Sequence, residues 1–112
     1  MSRFVLRGLL GLSLWSAAGL ALAAGPDPAM LEKGKAIFMK DAVPACAICH
    51  ALQDAGSAGS IGPDLDELKP DLERVKKVLV EGAGTMPSFA ESLDEASREA
   101  VAAYVVHATG GQ

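Results

Sequence analysis

The chain has 112 residues, the length of a single domain, and a formal net charge of −4. An acidic chain excludes nucleic-acid binding through phosphate contacts, because that requires a basic surface. Half of the residues are apolar but only 4% are aromatic, and a chain this short holds no large enzyme core and often needs a cross-link or a cofactor for stability.

The N-terminus has the pattern of an export signal. Arg3 and Arg7 precede an uncharged, leucine-rich run, and small residues suited to cleavage follow at 21–24. The run is shorter than the ~20 apolar residues of a membrane-spanning helix, which disfavours an uncleaved anchor. We therefore predict a signal peptide over residues 1–24, a periplasmic location, and a mature domain over residues 25–112 whose net charge is −6 because both arginines are lost.

The first predicted helix of the mature domain runs from Pro28 to about Lys40. Asp27 suits the N-cap, and proline suits the first turn. Apolar residues follow one helical stripe: Met30, Leu31, Ile37 and Phe38. Gly34 lies on the same stripe and costs up to ~1 kcal/mol relative to alanine, so we expect another backbone to pack closely against it.

Both cysteines lie in one motif, Cys46-Ala47-Ile48-Cys49-His50. A thioredoxin-type redox pair would require a βαβ context, which the pattern lacks. A zinc site needs four ligands, and His107 is the sole histidine outside the motif. Covalent attachment of a c-type haem requires this arrangement, because two thiols one helical turn apart reach both vinyl groups and the next residue presents an imidazole to the iron. We favour the haem interpretation.

Two longer helices are predicted after the motif. Residues 51–62 are small and polar and indicate a loop. The next helix starts at Pro70 and ends in residues 81–84, with an inner face of Leu72, Val75, Val78 and Leu79. The last helix starts with a capping box at Ser92 and stops at residues 109–111, with an inner face that includes Leu93, Ala96, Ala100, Val101, Tyr104, Val105 and Ala108. With no hairpin signal, the predicted fold class is all-α.

Charges of both signs cluster around the helix that starts at Pro70. The cations are Lys69, Arg74, Lys76 and Lys77, and the anions are Asp64, Asp66, Glu67, Asp71 and Glu73. Mixed charge of this kind is typical of a solvated helix face rather than of a partner site.

In the order of its parts, the chain resembles a single-haem class I cytochrome c over about residues 28–110. In that family the first helix carries a glycine and an aromatic residue four apart, as Gly34 and Phe38 are here, and the last helix crosses it and brings an aromatic residue, here Tyr104. The resemblance implies three to five helices wrapped round one covalent haem. It also implies an electron-transfer protein rather than an enzyme.

The resemblance further assigns the residues at the haem. Cys46 and Cys49 would bind it covalently, and His50 would be the proximal ligand of the iron. The Gly-Pro-x-Leu stretch of the family is matched downstream, where the Pro63 carbonyl would accept a hydrogen bond from His50 Nδ1–H and Leu65 would pack on the haem face.

The distal ligand implied by the resemblance is Met86, whose uncharged thioether favours ferrous iron and raises the reduction potential. Pro87 restricts this methionine to extended geometry. The alternative is a methionine that only fills space. Met30 and Met39 are competing ligands, but packing explains them better, and His107 is interpreted as a surface residue near a helix C-terminus.

A closer similarity is to the small cytochrome c subunit of bacterial sulfite dehydrogenases. It lies in four stretches: residues 44–50, 54–56, 65–71 and 86–89. The similarity implies that the chain accepts electrons from a molybdenum-containing subunit that oxidises sulfite, while holding no molybdenum itself. The alternatives are a general soluble electron-transfer cytochrome c for another dehydrogenase or a terminal oxidase, a haem sensor or peroxidase-like protein, and a haem-free thiol oxidoreductase.

Apolar residues flank the attachment motif and the predicted distal ligand. They are Val43, Pro44, Ala45, Ala47, Met86, Pro87 and Phe89. We expect them to form a small docking patch for redox partner proteins, since turnover in electron transfer needs small, weak interfaces.

Overall fold

The computed structural model describes residues 25–111 together with Gly11 and Gly19, so the predicted signal peptide otherwise lies outside the described residues. The elements are α1 (Pro28–Ala36) continued by a π-helix (Ile37–Asp41), α2 (Cys46–Cys49), β1 (Ala51–Leu52), a 3-10 helix (Gln53–Ala55), β2 (Ser57–Ala58), α3 (Leu65–Leu68), α4 (Leu72–Glu81) and α5 (Glu95–Thr109). The all-α prediction is confirmed. The short antiparallel pair β1–β2 was not expected, because strands of two residues are too short to show alternation.

Aspartate side chains begin four of the helices by accepting hydrogen bonds from backbone amides in the first turn. The pairs are Asp27 with Ala29 N (3.0 Å), Asp64 with Asp66 N (2.9 Å), Asp71 with Arg74 N (2.8 Å) and Asp94 with Ser97 N (2.7 Å). Two predicted starts were wrong: α4 begins at Leu72 rather than Pro70, and α5 is capped by Asp94 rather than Ser92. In both cases the aspartate nearest the helix reaches the first free amides.

The first helix ends in a wider π-helical turn. Ala42 N–H donates to the carbonyl of Ile37, five residues earlier, at 3.0 Å. This turn places Ile37 and Phe38 in the core but leaves Met39 45% exposed. The prediction that packing explains Met39 was therefore wrong.

The first and last helices cross at Gly34. A Cβ placed there would lie only 2.6 Å from the Cβ of Tyr104, so no larger residue fits without a shift of the helices. Phe38 packs edge-on against the Tyr104 ring, with ring centroids 5.9 Å apart and an interplanar angle of 64°. The close contact expected from the glycine is present.

The core is formed mainly by the inner faces of the helices and the segments next to them. Its largest fully buried side chains are Phe38, Leu52 and Val101. Leu72 and Ala96, which were assigned to inner faces, are exposed because both lie in the first turn of their helices. Among the described residues, no helix has the length and apolar character needed to cross a bilayer.

A polar cluster ties the last helix to the first helix and to the loop after the cysteine motif. Tyr104 donates its hydroxyl hydrogen to Asp54 Oδ2 at 2.6 Å, and Lys35 Nζ lies 3.4 Å from the same oxygen. The bond from Tyr104 is the main reason why the pKa of Asp54 lies below its usual value. Burial first, and then this bond, raise the pKa of Tyr104. The cluster therefore favours a charged Asp54 beside a neutral tyrosine.

We predict that Tyr104→Phe lowers the free energy of unfolding by about 1–2 kcal/mol at pH 7, the loss of one hydrogen bond to a partly exposed carboxylate. The difference from wild type should narrow as the pH falls below 3.8, the ordinary pKa of Asp54, because protonation removes the charged acceptor. It should also narrow above about pH 10, where the unfolded tyrosine ionises and the folded one does not.

Guanidinium denaturation of the two proteins at pH 3, 7 and 10.5 measures this difference. Lys35→Met is the matched control, since an exposed ion pair contributes at most ~1 kcal/mol. Equal stabilities of Tyr104→Phe and wild type at pH 7 would contradict the prediction.

Candidate cofactor site

A cavity of about 470 Å³ opens within the helical frame. This volume lies in the range of small-molecule and cofactor pockets. Most of the lining is apolar, and the residues predicted to hold a haem all belong to it: Cys46, Cys49, His50, Pro63, Leu65 and Met86. Residues that are up to 40 positions apart in the chain thus meet at one site.

The cysteine motif forms a single helical turn, α2. Ala45 before it and His50 after it have extended backbones, and His50 N–H donates to the Cys46 carbonyl at 2.9 Å. Side chains three positions apart on a helix lie on the same face. Both thiols accordingly line the cavity, each half-buried and free of a disulfide.

The environment of Cys46 does not suit a thiol redox centre. Burial raises the pKa of the Cys46 thiol to about 11, whereas redox-active thiols react as thiolates with lowered pKa values. Among the described residues, no group of three or more His, Cys, Asp or Glu side chains is arranged to hold a bare metal ion.

The imidazole of His50 is oriented by the segment that follows the small strand pair. Its Nδ1 lies 2.7 Å from the Pro63 carbonyl oxygen. Because a carbonyl only accepts hydrogen bonds, Nδ1 is the donor in this bond, and Nε2 is left as the nitrogen available to a metal. A Cβ on Gly62 would lie 2.6 Å from His50 Cε1, so the ring fills the space beside the glycine. The ring of His50 is therefore held in one orientation by Pro63 and Gly62.

Met86 lies in a tight turn between α4 and α5. Its amide and carbonyl both pair with Ala83, at 2.9 and 3.1 Å. Gly82 and Gly84 have φ of +69° and +57°, a conformation that favours glycine. At Gly82 a Cβ would also lie 2.8 Å from the Met86 carbonyl oxygen. The glycines allow this turn to fold back and place Met86 at the cavity.

The turn is anchored to the end of α4. Ser88 Oγ donates to the Val80 carbonyl at 2.5 Å, and Phe89 N–H donates to the Leu79 carbonyl at 2.7 Å. Phe89 is consequently buried, with 3% of its surface exposed, so its inclusion in an apolar docking patch was wrong. Of the other residues assigned to that patch, Val43, Pro44 and Pro87 are exposed.

The competing ligand candidates lie away from the cavity. Met30 packs against the core, Met39 is exposed on the π-helical turn, and His107 is exposed in the last turn of α5. None of the three belongs to the cavity lining. Met86 is the one methionine that lines this cavity among the described residues.

Arg74 is exposed, as the mixed charge of its segment predicted, but it also lines the cavity, which was not predicted. Its position could have been found from helical spacing, because Pro70 and Val78, four positions to either side, also line the cavity. The charge composition of the segment gives no information on this spacing.

The donor set fits an iron porphyrin bound through sulfur. Two thiols one turn apart, an imidazole with a free nitrogen and a thioether surround a largely apolar space. This combination of attachment and ligand groups is that of a c-type haem.

A family model described as cytochrome c oxidase, cbb3-type, subunit III matches residues 29–105, which span every site residue above. The chain belongs to the cytochrome c family. Among solved structures, this cytochrome c is similar to the c-type cytochrome SorU from Sinorhizobium meliloti, with 45% identity, a TM-score of 0.72, and coverage of 76% of this chain and 97% of that one. The search of curated proteins found no match.

These similarities confirm several predictions. The resemblance to a small single-haem cytochrome c is confirmed, and so is the helical fold. The cofactor is a covalent haem c with its iron, and the protein transfers electrons rather than catalysing a reaction of its own.

Proposed function

We propose that this cytochrome c is a periplasmic one-electron carrier that accepts electrons from a sulfite dehydrogenase. In this proposal Cys46 and Cys49 attach the haem, and His50 and Met86 are the axial ligands of its iron. The observation that carries the proposal is the convergence of these four donors on one apolar cavity.

The local structure of the motif supports covalent attachment. Both thiols extend from the single turn of α2 into the cavity, and neither is used in a disulfide. Because α2 also contacts the π-helical turn of the first helix, the attachment point is held against the core.

The two axial donors support electron transfer over chemistry at the iron. His50 offers Nε2 because Nδ1 is bonded to Pro63, and Met86 offers an uncharged sulfur. Two strong ligands leave no open coordination position, which disfavours a haem sensor or a peroxidase-like protein. When bound, the haem supplies a ferric/ferrous couple, and the chain contributes ligand choice, burial and hydrogen bonding.

The rigidity of both ligand segments also suits a carrier. The hydrogen bond at 2.7 Å orients the His50 ring, and the pairing between Ala83 and Met86 holds the methionine turn. Ligands held in this way need to move little when the charge on the iron changes, so the barrier to electron exchange stays low.

The proposed donor rests on the similarity to cytochrome subunits of sulfite dehydrogenases in residues 44–50, 54–56, 65–71 and 86–89. The periplasmic location rests on the export pattern of residues 1–24. Val43, Pro44 and Pro87 are exposed apolar residues near the attachment and ligand segments, and they suit a small contact with a redox partner.

One second candidate follows from the matched family, whose description names a subunit of a cbb3-type oxidase. In that role the protein would exchange electrons with a terminal oxidase, and the same haem site would serve it.

Stopped-flow absorbance tests the proposed donor. Ferric holoprotein is mixed with sulfite and the molybdenum sulfite dehydrogenase of the same organism. We expect fast reduction with two cytochromes reduced per sulfite, because sulfite oxidation releases two electrons. Sulfite without the dehydrogenase is the control and should reduce the cytochrome far more slowly.

A dehydrogenase that turns over with another acceptor but leaves this cytochrome ferric would contradict the sulfite assignment. Reversible reduction and reoxidation in a redox titration of the same sample would then retain the one-electron carrier, with a terminal oxidase as the partner to test next.

A further inference from the structure

Arg74 differs in kind from every other residue that lines the haem cavity. It is the single residue with a permanent charge in a lining that is otherwise apolar, aside from the sulfur and imidazole donors and Thr85. Arg74 is also exposed, so it stands where the cavity opens to solvent. A cation at the mouth of an apolar cofactor cavity points to an anionic group on the cofactor.

Within residues 25–111, the charge of Arg74 is not used by the protein itself. The ion pairs there join Lys35 to Asp54 and Lys76 to Glu99, and the side chain of Arg74 makes no hydrogen bond, whereas its backbone amide donates to Asp71 at 2.8 Å. Arg74 lies in the first turn of α4. A positive side chain in the first turn is repelled by the positive end of the helix dipole. The charge of Arg74 therefore does not stabilise the helix.

We propose that Arg74 is the counter-ion of a haem propionate and that its charge raises the reduction potential of the haem. A guanidinium matches a carboxylate with two parallel N–H···O bonds. Apolar walls strengthen such a pair relative to one in open water. The inference rests on the haem site of the proposed function.

The effect on the potential has a definite sign. Ferric haem carries one more positive charge than ferrous haem, so a nearby cation disfavours the ferric state. An anionic propionate has the opposite effect, which the cation offsets. The charge of Arg74 therefore favours ferrous haem and raises the potential.

Redox titration of three variants of the holoprotein at one pH and ionic strength tests the inference. Arg74→Gln removes the charge with little change in shape, and Arg74→Lys retains the charge without the two-pronged geometry. Lys77→Gln is the matched control, because it removes one positive charge from the same helix at a residue outside the cavity lining. The absorbance spectrum of each variant shows whether the axial ligands are retained.

We expect the midpoint potential of Arg74→Gln to fall clearly below that of wild type. The midpoint potential of Arg74→Lys should lie much closer to the wild-type value. Lys77→Gln should change the midpoint potential much less than Arg74→Gln does. Equal shifts for Arg74→Gln and Lys77→Gln would overturn the inference, since they would show only a general effect of surface charge. Wild-type protein without haem stain on a denaturing gel would instead overturn the haem site, and this inference with it.

Discussion

Replacing Cys46 and Cys49 together by alanine is expected to abolish covalent haem attachment completely. Both thiols line the cavity from one helical turn, and the chain has no other cysteine that could take their place. A denaturing gel stained for haem should show wild type and no signal for the double variant. The mass of the exported wild-type protein should exceed that of the polypeptide by one haem.

The same substitution should also destabilise the fold, because the cavity that the haem would fill is left empty. At ~24 cal/mol per Å³, an unfilled cavity of 470 Å³ lowers the free energy of unfolding by at most about 11 kcal/mol. That limit is comparable to the whole stability of a small domain. Water entering the open side reduces the cost, but circular dichroism should still show less helix and a broad, poorly cooperative thermal transition.

Single substitutions and a ligand variant control this experiment. Cys46→Ala and Cys49→Ala should each retain one thioether bond between a cysteine and the haem, and Met86→Leu should retain both of these bonds. A mass that matches the bare polypeptide in wild type, or haem stain that persists in the double variant, would contradict the assignment of the cysteines.

The second large effect is expected from Met86→Ala. Loss of the thioether should lower the reduction potential by an amount on the order of 100 mV or more, a sizeable part of the ~0.8 V range that axial ligands span. The ferric spectrum should lose its sulfur-to-iron charge-transfer band. Ferrous protein should then bind carbon monoxide rapidly, because one coordination position is open.

Met39→Ala is the matched control, since Met39 is 45% exposed and lies outside the cavity. It should retain the band and the potential of wild type. If Met39→Ala or a substitution of His107 removes the band while Met86→Ala retains it, the assignment of the distal ligand is wrong.

The parts of this protein that could be predicted from sequence are those determined by neighbouring residues. Two thiols three positions apart followed by His50 define an attachment turn, since one helical turn brings them to the same face. The spacing of apolar residues predicts helices over much of residues 28–41, 72–81 and 95–109. Even here the exact starts of α4 and α5 depended on which aspartate reaches the free amides.

Features that depend on distant residues emerged only from the tertiary structure. Phe89 was assigned to an exposed docking patch, but its side chain is buried and its amide donates to the carbonyl of Leu79. The bond between Tyr104 and Asp54 joins residues fifty positions apart. No local pattern encodes such contacts.

The sequence by itself therefore determined the chemistry of this protein: a cysteine motif for haem, a helical class and an acidic charge. The tertiary structure alone decided which residues share the haem cavity and which face solvent. The physical reason is the distance along the chain over which each interaction acts. Helical spacing and motif geometry act over a few residues, whereas burial and electrostatic pairing depend on segments that meet only after the chain has folded.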